Sequence, residues 1–398
     1  MGRAEVLQAL RAIAVEAEDA EALFERSVRA SAQGVHAAAV AEFGTWEAAL
    51  AHLLVEYAQR GSRRGVASAS AASAPLQQAP ATRRVTEAAE LPLYLLSEEG
   101  YLSSIPFSDL PAGDAPAWQY LPDGPGKEAW PDRLHPSADD DSTFFALAAN
   151  GTGSSLHRPH FAPWSEHARP ARFVDHVLRA EDSPVVGMFP RRELRLAKRI
   201  YAVATDGQIK ASEAEEYAKR VSNEAIDVII PRDGARAYTM FSGHEDAQVF
   251  LASSGGKAIV FDASEIRSQG LRAQGVRGIQ LDDDHTLVGA FAIEEPEVVL
   301  VTAHGYVKRM LLDEFRPQGR GGAGLQTCKL ADDDRVVAMV QTTINDDLLL
   351  IATDGQYLRL PIWQIPSMGR PARGDRMVAP PDGHMILDAC IVPAGTEA

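Results

Sequence analysis

The residues of this sequence best suited to chemistry are the glycines and the arginine of one short loop. Residues 318–324 read Gln-Gly-Arg-Gly-Gly-Ala-Gly, with Arg320 in the third position. Glycines let main-chain N–H groups approach an anion closely, and an arginine adds a charge-assisted, bidentate contact. The loop therefore suits a phosphate backbone, and no pattern for reading bases accompanies it.

Two further copies of this loop lie at spacings of 49 and 50 residues. Gly369 and Arg370, followed by Arg373, repeat the Gly-Arg pair of the first loop. Residues 269–275 form a weaker copy, Gln-Gly-Leu-Arg-Ala-Gln-Gly. Copies in register within the same flanking pattern favour one recurring structural element over unrelated corners.

The elements that must position these loops follow the same period. Six segments each combine a short apolar strand, a tight turn that reaches a glycine, and a second strand. Tight primed turns need positive φ, which glycine, asparagine and aspartate tolerate, so each segment predicts a β-hairpin. Their glycines, separated by 51, 56, 49, 49 and 50 residues, are Gly100, Gly151, Gly207, Gly256, Gly305 and Gly355.

A second strand pair completes each unit, as in the stretches where Asp282 and Asp332 open matching acidic turns 50 residues apart. One four-stranded sheet cannot bury both of its faces alone, and radial repetition around an axis is the usual solution. We therefore predict a mainly β fold over residues 91–398, a six-bladed β-propeller or β-pinwheel. The period alone leaves open whether strands are exchanged between blades.

The segment before the ring differs in composition and in its apolar pattern. Residues 1–60 contain few turn formers and place Trp46, Leu50 and Tyr57 at helical spacing, which predicts a small all-α helical domain. Residues 61–90 are rich in Ala, Ser and Pro and predict a disordered linker, because they hold too few large apolar side chains to offset the entropy of folding.

Composition and charge exclude several classes of function. With a formal charge of −16, the chain can attract a polyanion only through locally arranged arginines. No apolar signal core and no stretch of membrane-span length is present, which indicates a cytoplasmic protein. Cys328 and Cys390 lie far apart along the chain without a second metal ligand nearby, so we expect neither a metal site nor a disulfide framework.

The sequence also contains no ATP-binding loop, and we expect no cofactor.

Residues 247–376 carry a resemblance to the C-terminal DNA-wrapping domain of the DNA gyrase A protein. The loop 318–324 keeps five of the seven residues of the gyrase A box, Gln-Arg-Arg-Gly-Gly-Lys-Gly, with Gly319 and Ala323 replacing an arginine and the lysine. In that family the box is needed to wrap DNA chirally. The resemblance therefore implies a non-catalytic, nucleoid-associated module that binds and bends double-stranded DNA in topology control. The implied DNA-binding residues are Lys308, Arg309, Arg316, Gln318, Arg320, Gly321, Gly322, Gly324, Arg359, Arg370, Arg373, Arg272 and Arg277.

Other interpretations stay open. The acid-rich residues 91–190 favour a protein-interaction scaffold, or a modulator of a separate topoisomerase or gyrase subunit, that has lost most DNA binding. A third interpretation is an enzyme subunit that another chain completes. Arg236 and Tyr238 are superficially similar to the arginine-tyrosine pair of a topoisomerase cleavage domain, but the chain leaves no room for that domain, so Tyr238 is read as a core or rim residue.

The N-terminal segment has a weaker resemblance of its own. Residues 35–50, which include Phe43 and Trp46, are similar to the helical repeats found beside homing endonucleases. That resemblance implies a second DNA-binding element. A small helical bundle with these two aromatic residues in its core is the alternative.

Overall fold

A computed structural model of the chain describes its β region. The predicted helical domain and the predicted linker, residues 1–60 and 61–90, lie outside the described residues. In the part of the chain that is described, none of the helices has the length and hydropathy that a membrane span requires. The described ranges are 92–110, 117–122, 131–136, 143–165, 171–177, 183–191, 193–218 and 224–393.

Short strands dominate these ranges. In chain order the strands are β1 (Pro92–Leu96), β2 (Tyr101–Pro106), β3 (Gln119–Tyr120), β4 (Arg133–Pro136), β5 (Thr143–Ala148), β6 (Thr152–His157), β7 (Ala162–Pro163), β8 (Ala171–Arg172), β9 (Val185–Pro190), β10 (Arg199–Ala204), β11 (Gln208–Glu213), β12 (Ile226–Asp227), β13 (Ala237–Gly243), β14 (Gln248–Ser253), β15 (Lys257–Asp262), β16 (Val276–Arg277), β17 (Leu287–Ala292), β18 (Glu297–Thr302), β19 (Val307–Leu311), β20 (Leu325–Gln326), β21 (Val336–Thr342), β22 (Asp346–Ala352), β23 (Gln356–Pro361) and β24 (Ile386–Pro393). The short helices are α1 (Phe173–His176), α2 (Glu193–Leu196) and α3 (Ala214–Ala218), and the 3₁₀ turns are Phe107–Asp109, Arg158–His160, Ala263–Glu265, Leu312–Glu314 and Ile362–Gln364.

The six predicted hairpins are confirmed, and each is closed by a glycine in the left-handed region. All six turn glycines have φ between +74° and +88°. An L side chain at such a position would be strained, so the regular spacing of these glycines in the repeat reflects a backbone requirement. The hairpins pair β1 with β2, β5 with β6, β10 with β11, β14 with β15, β18 with β19, and β22 with β23.

Each sheet takes its outermost strand from the next unit along the chain. In the third sheet β10 pairs with β11 and with the innermost strand β13, while β16 of the following unit pairs with β11. Likewise β20 joins β15 of the fourth sheet, and Asp375 bridges Val307 of the fifth. The sixth sheet receives β3 from the first unit, so the exchange closes on itself. The blades therefore exchange strands, as in a β-pinwheel.

Six sheets arise in this way and form a closed ring. Their innermost strands, β4, β9, β13, β17, β21 and β24, each contact the next, and β24 contacts β4. One apolar cluster joins Leu93 and Leu95 of the first sheet with Leu349 and Tyr357 of the sixth. The predicted six-bladed, mainly β ring is confirmed.

The apolar cores lie between neighbouring sheets. On β18, Val298 and Leu300 pack into the cluster shared with the fourth sheet, whereas Val299 and Val301 pack into the cluster shared with the sixth. Successive side chains of a strand point to opposite faces, so a strand covered on both sides needs an unbroken apolar run. This requirement explains why the first strand of each unit does not alternate apolar and polar residues.

A polar cavity of about 180 Å³ lies among the innermost strands. Arg133 Nη1 donates to the carbonyl oxygens of Val186 and Tyr238, each at 3.2 Å, and its guanidinium lies 4.8 Å from the centre of the Tyr238 ring. Asp388 Oδ2 accepts the Leu134 N–H at 2.9 Å. Burial raises the pKa of the Asp388 carboxyl to about 6, although Arg133 opposes the shift. Burial also raises the pKa of the Tyr238 phenol to about 12.

We expect Asp388→Asn to remove a pH-dependent part of the stability. The folded-state pKa lies above the unfolded value, so the folded protein binds this proton more tightly, and the contribution is present at low pH and lost as pH rises from about 4 to about 6. As the pH rises across that range, the free energy of unfolding of the variant should increase by about 1–3 kcal/mol relative to that of the parent. Thermal melts of both proteins at several pH values measure this, and a pH-independent difference would contradict it.

Candidate nucleic-acid interface

Three rim loops carry the glycines and arginines that the sequence singles out. They are loop A (269–275), loop B (318–324) and loop C (368–374). Each loop begins with a main-chain hydrogen bond onto the second strand of the preceding sheet, which fixes where the loop leaves that sheet. These bonds run from the N–H of Gln269 to Ala211 O (2.8 Å), of Gln318 to Val260 O (2.8 Å) and of Met368 to Arg309 O (2.9 Å).

Each loop ends at a glycine that lies directly against the same strand. Gly324 has φ +75°, and a Cβ at this position would lie 2.6 Å from the carbonyl oxygen of Ala258. Gly275 and Gly374 hold the equivalent places in loops A and C, with φ of +83° and +97°. The close approach and the positive φ both require glycine. Gly321 of loop B also has positive φ, and its N–H donates to Gly278 O at 2.6 Å.

Strand exchange moves each loop one blade back from the position expected from its unit. Loop B belongs to the fifth unit, but it leads into β20, which pairs with β15 of the fourth sheet. Loops A and C lie on the third and fifth sheets for the same reason. The loops belong to the last three units of the repeat, which predicts phosphate contacts on the last three blades, and the structure corrects this to blades three, four and five.

Each loop contacts the preceding sheet, at or just after the outermost strand of that sheet. Loop A contacts the unit before it through Arg272, whose Nε lies 2.8 Å from Asp227 Oδ2. In loop B, Arg320 Nη1 donates to Arg277 O at 3.2 Å. In loop C, Arg373 Nε donates to Lys329 O at 3.1 Å. The three loops therefore follow one another on consecutive sheets.

Most of the predicted cations of these loops are exposed. The side chain of Arg272 is 80% exposed. Arg370 is partly buried, with its guanidinium 5.7 Å from the centre of the Phe315 ring. Gln318, Gly321, Gly322 and Gly324 are partly buried and form the backbone of loop B. The exposed arginines of the predicted set are Arg272, Arg277, Arg316, Arg320 and Arg373.

Lys308 lies inside the protein, so the expectation that it faces a phosphate is corrected. Its side chain is 0% exposed. The ammonium donates to the carbonyl oxygens of Thr327 (2.6 Å), Gly369 (3.0 Å) and Arg370 (2.7 Å). Burial lowers the pKa of Lys308 to about 8. This lysine donates hydrogen bonds to the backbone of loop C from inside the protein, and its ammonium group is not exposed at the surface.

Arg309 and Arg359 are likewise corrected from surface cations to partners in ion pairs. Arg309 Nη1 lies 2.8 and 2.6 Å from the two carboxylate oxygens of Glu297. Arg359 Nε lies 2.8 Å from Asp347 Oδ2, and both side chains are buried. Because the carboxylates neutralise these guanidinium groups inside the blades, we leave Arg309 and Arg359 out of the interface, and we leave Lys308 out because it is buried.

Three exposed cations that lie within five residues of these loops along the chain were missed by the sequence interpretation. Arg267 precedes loop A as Arg316 precedes loop B, 49 residues apart. Arg376 follows Gly374 by two positions, as Arg277 follows Gly275, and its Nε donates to His304 O at 3.2 Å. Lys329 is the third. The repeat period itself was the signal that could have identified the two arginines.

The part of the chain that carries these loops matches a known family. Residues 247–294, 296–343 and 346–378 match the family model described as DNA gyrase C-terminal domain, beta-propeller. The ring resembles the C-terminal domain of the DNA gyrase A protein. The resemblance predicted for residues 247–376 is thereby confirmed.

Curated relatives share the same region. The chain is 27% identical over 228 residues to the A subunit of DNA gyrase from Staphylococcus epidermidis, covering 56% of this chain and 25% of the relative. It is 32% identical over 177 residues to the A subunit of DNA gyrase from Haloquadratum walsbyi, covering 43% of this chain and 20% of the relative. The chain thus spans a quarter or less of the length of these gyrase proteins.

Two solved structures share the fold. The DNA gyrase A C-terminal domain superposes with a TM-score of 0.66 at 17% identity, covering 76% of this chain and 100% of that domain. The C-terminal domain of DNA topoisomerase IV gives 0.58 at 16% identity, covering 76% of this chain and 94% of that domain. At these identities the likeness concerns the fold alone.

Replacing a buried, ion-paired arginine should affect the stability of the protein differently from replacing an exposed one. We expect Arg359→Ala to lower the free energy of unfolding by about 3–5 kcal/mol, because it leaves the buried Asp347 carboxylate without its cation. Arg316→Ala is the matched control on the exposed rim and should change it by no more than about 0.5 kcal/mol. Urea denaturation of both variants measures the difference, and equal effects would show that the ion pair contributes nothing.

Proposed function

We propose that this ring is a non-catalytic, gyrase-like module that binds and bends double-stranded DNA along the rim formed by loops A, B and C. The observation that supports it most is the repetition of one loop geometry on three consecutive sheets. Each loop offers exposed guanidinium groups beside glycine-rich backbone, which is the chemistry that contacts phosphate oxygens. Contacts on successive blades of a curved rim favour a bent path of the duplex.

The charge distribution is consistent with local attraction of DNA by the rim, although the protein as a whole is acidic. The formal net charge is −16, so the bulk field repels DNA. The rim loops and the residues beside them, including Lys329, concentrate exposed cations on blades three to five. Binding of this kind is sensitive to salt, because each phosphate contact releases condensed counterions. We propose the same setting as for gyrase, DNA topology control at the nucleoid, where the partner is a separate topoisomerase or gyrase subunit.

One observation favours a second candidate, a protein-interaction scaffold. Lys308, Arg309 and Arg359 are buried or ion-paired, which leaves the interface fewer free cations than the sequence suggested. A scaffold would show no binding to a DNA duplex even at low salt. The two functions are therefore separated by the salt dependence of DNA affinity.

We expect Arg320→Ala combined with Arg370→Ala to weaken duplex binding by at least about tenfold, since two charge-assisted contacts are lost. The slope of log affinity against log salt should fall by about two, one unit for each phosphate contact. Fluorescence anisotropy of a labelled duplex over a salt series measures both quantities.

A charge-matched control uses Arg232→Ala combined with Arg335→Ala. These exposed arginines lie on the turns that precede β13 and β21, outside the sequences of loops A, B and C, and their replacement changes the net charge equally. The control should retain most of the affinity and the salt slope. If both double variants weaken binding equally, the rim loops are not the interface, and if the parent protein does not bind at low salt, the proposed function is wrong.

A further inference from the structure

A glutamate lies beneath loop B and another beneath loop C. Glu265 Oε2 accepts the Arg320 N–H at 3.0 Å, and Glu314 Oε2 accepts the Arg370 N–H at 3.2 Å. Each glutamate is the last residue of a 3₁₀ turn, Ala263–Glu265 and Leu312–Glu314, on the sheet that the loop covers. The two glutamates are 49 residues apart, so the contact belongs to the repeat.

This placement is unfavourable by charge alone. A carboxylate directly beside the arginine of a phosphate-binding loop repels the DNA and partly neutralises the cation. Its presence in two consecutive copies therefore needs another explanation. The geometry supplies one, because both carboxylates accept from the main chain of the loop.

The surrounding contacts hold the arginine residues of both loops. In loop B, the carbonyl oxygen of Glu265 also accepts Arg320 Nε at 3.1 Å, which orients the guanidinium group. In loop C, the peptide groups of Arg370 are held on both sides: Glu314 accepts its N–H, and Lys308 Nζ donates to its carbonyl oxygen at 2.7 Å. A loop held in this way loses little conformational entropy when it binds a ligand.

We propose that Glu265 and Glu314 are positioning residues of the DNA interface, which hold loops B and C in the conformation that presents Arg320 and Arg370 to phosphates. The proposal rests on the proposed function. It leads to an expectation opposite to that of simple electrostatics: removing these two negative charges weakens DNA binding when the hydrogen-bond acceptor is lost with them.

The test compares variants with the same change in charge. Glu265→Ala with Glu314→Ala removes charge and acceptor, whereas Glu265→Gln with Glu314→Gln removes the charge and keeps an amide oxygen that can accept the same N–H. Glutamine suits this turn, since Gln364 occupies the equivalent position of Ile362–Gln364. Asp262→Ala with Asp313→Ala is the control: both are exposed carboxylates at the same corners, outside the contacts to the loops.

Anisotropy with a labelled duplex that spans the three loops gives affinity and salt slope. We expect the alanine pair to bind about tenfold more weakly than the parent, as one positioned hydrogen bond is lost in each loop. Its salt slope should fall by about one to two as the arginines leave the phosphates. The glutamine pair and the aspartate control should bind as tightly as the parent or more tightly. An alanine pair that matches the aspartate control in affinity and slope overturns the proposal.

Hydrogen exchange without DNA separates this proposal from the function on which it rests. The Arg320 and Arg370 amides should lose protection in the alanine pair and keep it in the glutamine pair. Unchanged protection in the alanine pair overturns the positioning role, whatever the affinity. If the parent fails to bind DNA while the exchange pattern is as expected, the proposed function fails and the contact is structural. Should the alanine pair not fold, the two single alanine variants are measured in the same way.

Discussion

A strand that is apolar on both faces must be covered on both faces, and the architecture of this protein follows from that constraint. The first strand of each unit carries such a run, and in β18 alternate residues serve two different cores. One hairpin cannot satisfy this demand, so each sheet needs a neighbour on either side. A closed circle of six sheets provides one for every strand, including the junction where Leu93 packs with Leu349.

Strand exchange turns this circle of sheets into a continuous rim. Because the outermost strand of each sheet arrives from the next unit, the segment leading to it must cross the boundary between two blades. Loops A, B and C are these crossing segments, and the glycine at the end of each allows the chain to lie against the strand it joins. The same covalent connection that secures neighbouring blades thus places arginines at regular intervals around the outside.

The arginines at repeated positions fall into two groups: some form ion pairs inside the blades, and others lie in the rim loops. Arg309 and Arg359 stand at equivalent positions of their units, and each is paired with a carboxylate within its own blade. Arg320 and Arg370 also stand at equivalent positions, but their guanidinium groups lie in rim loops whose backbone is held from below. An acidic protein can in this way present a local basic path, because ionic attraction to phosphate acts over short distances in salt.

The sequence by itself determined the hairpins, the number of blades and the identity of the rim loops. These features depend on local backbone requirements, such as positive φ at the turn glycines, and on a period that is visible in one chain. Only the tertiary structure decided which blade each loop covers, since the period is the same with and without strand exchange. It also decided which cations are free: the carbonyl oxygens that surround Lys308 lie 19 to 62 residues away along the chain, and no local pattern brings them together.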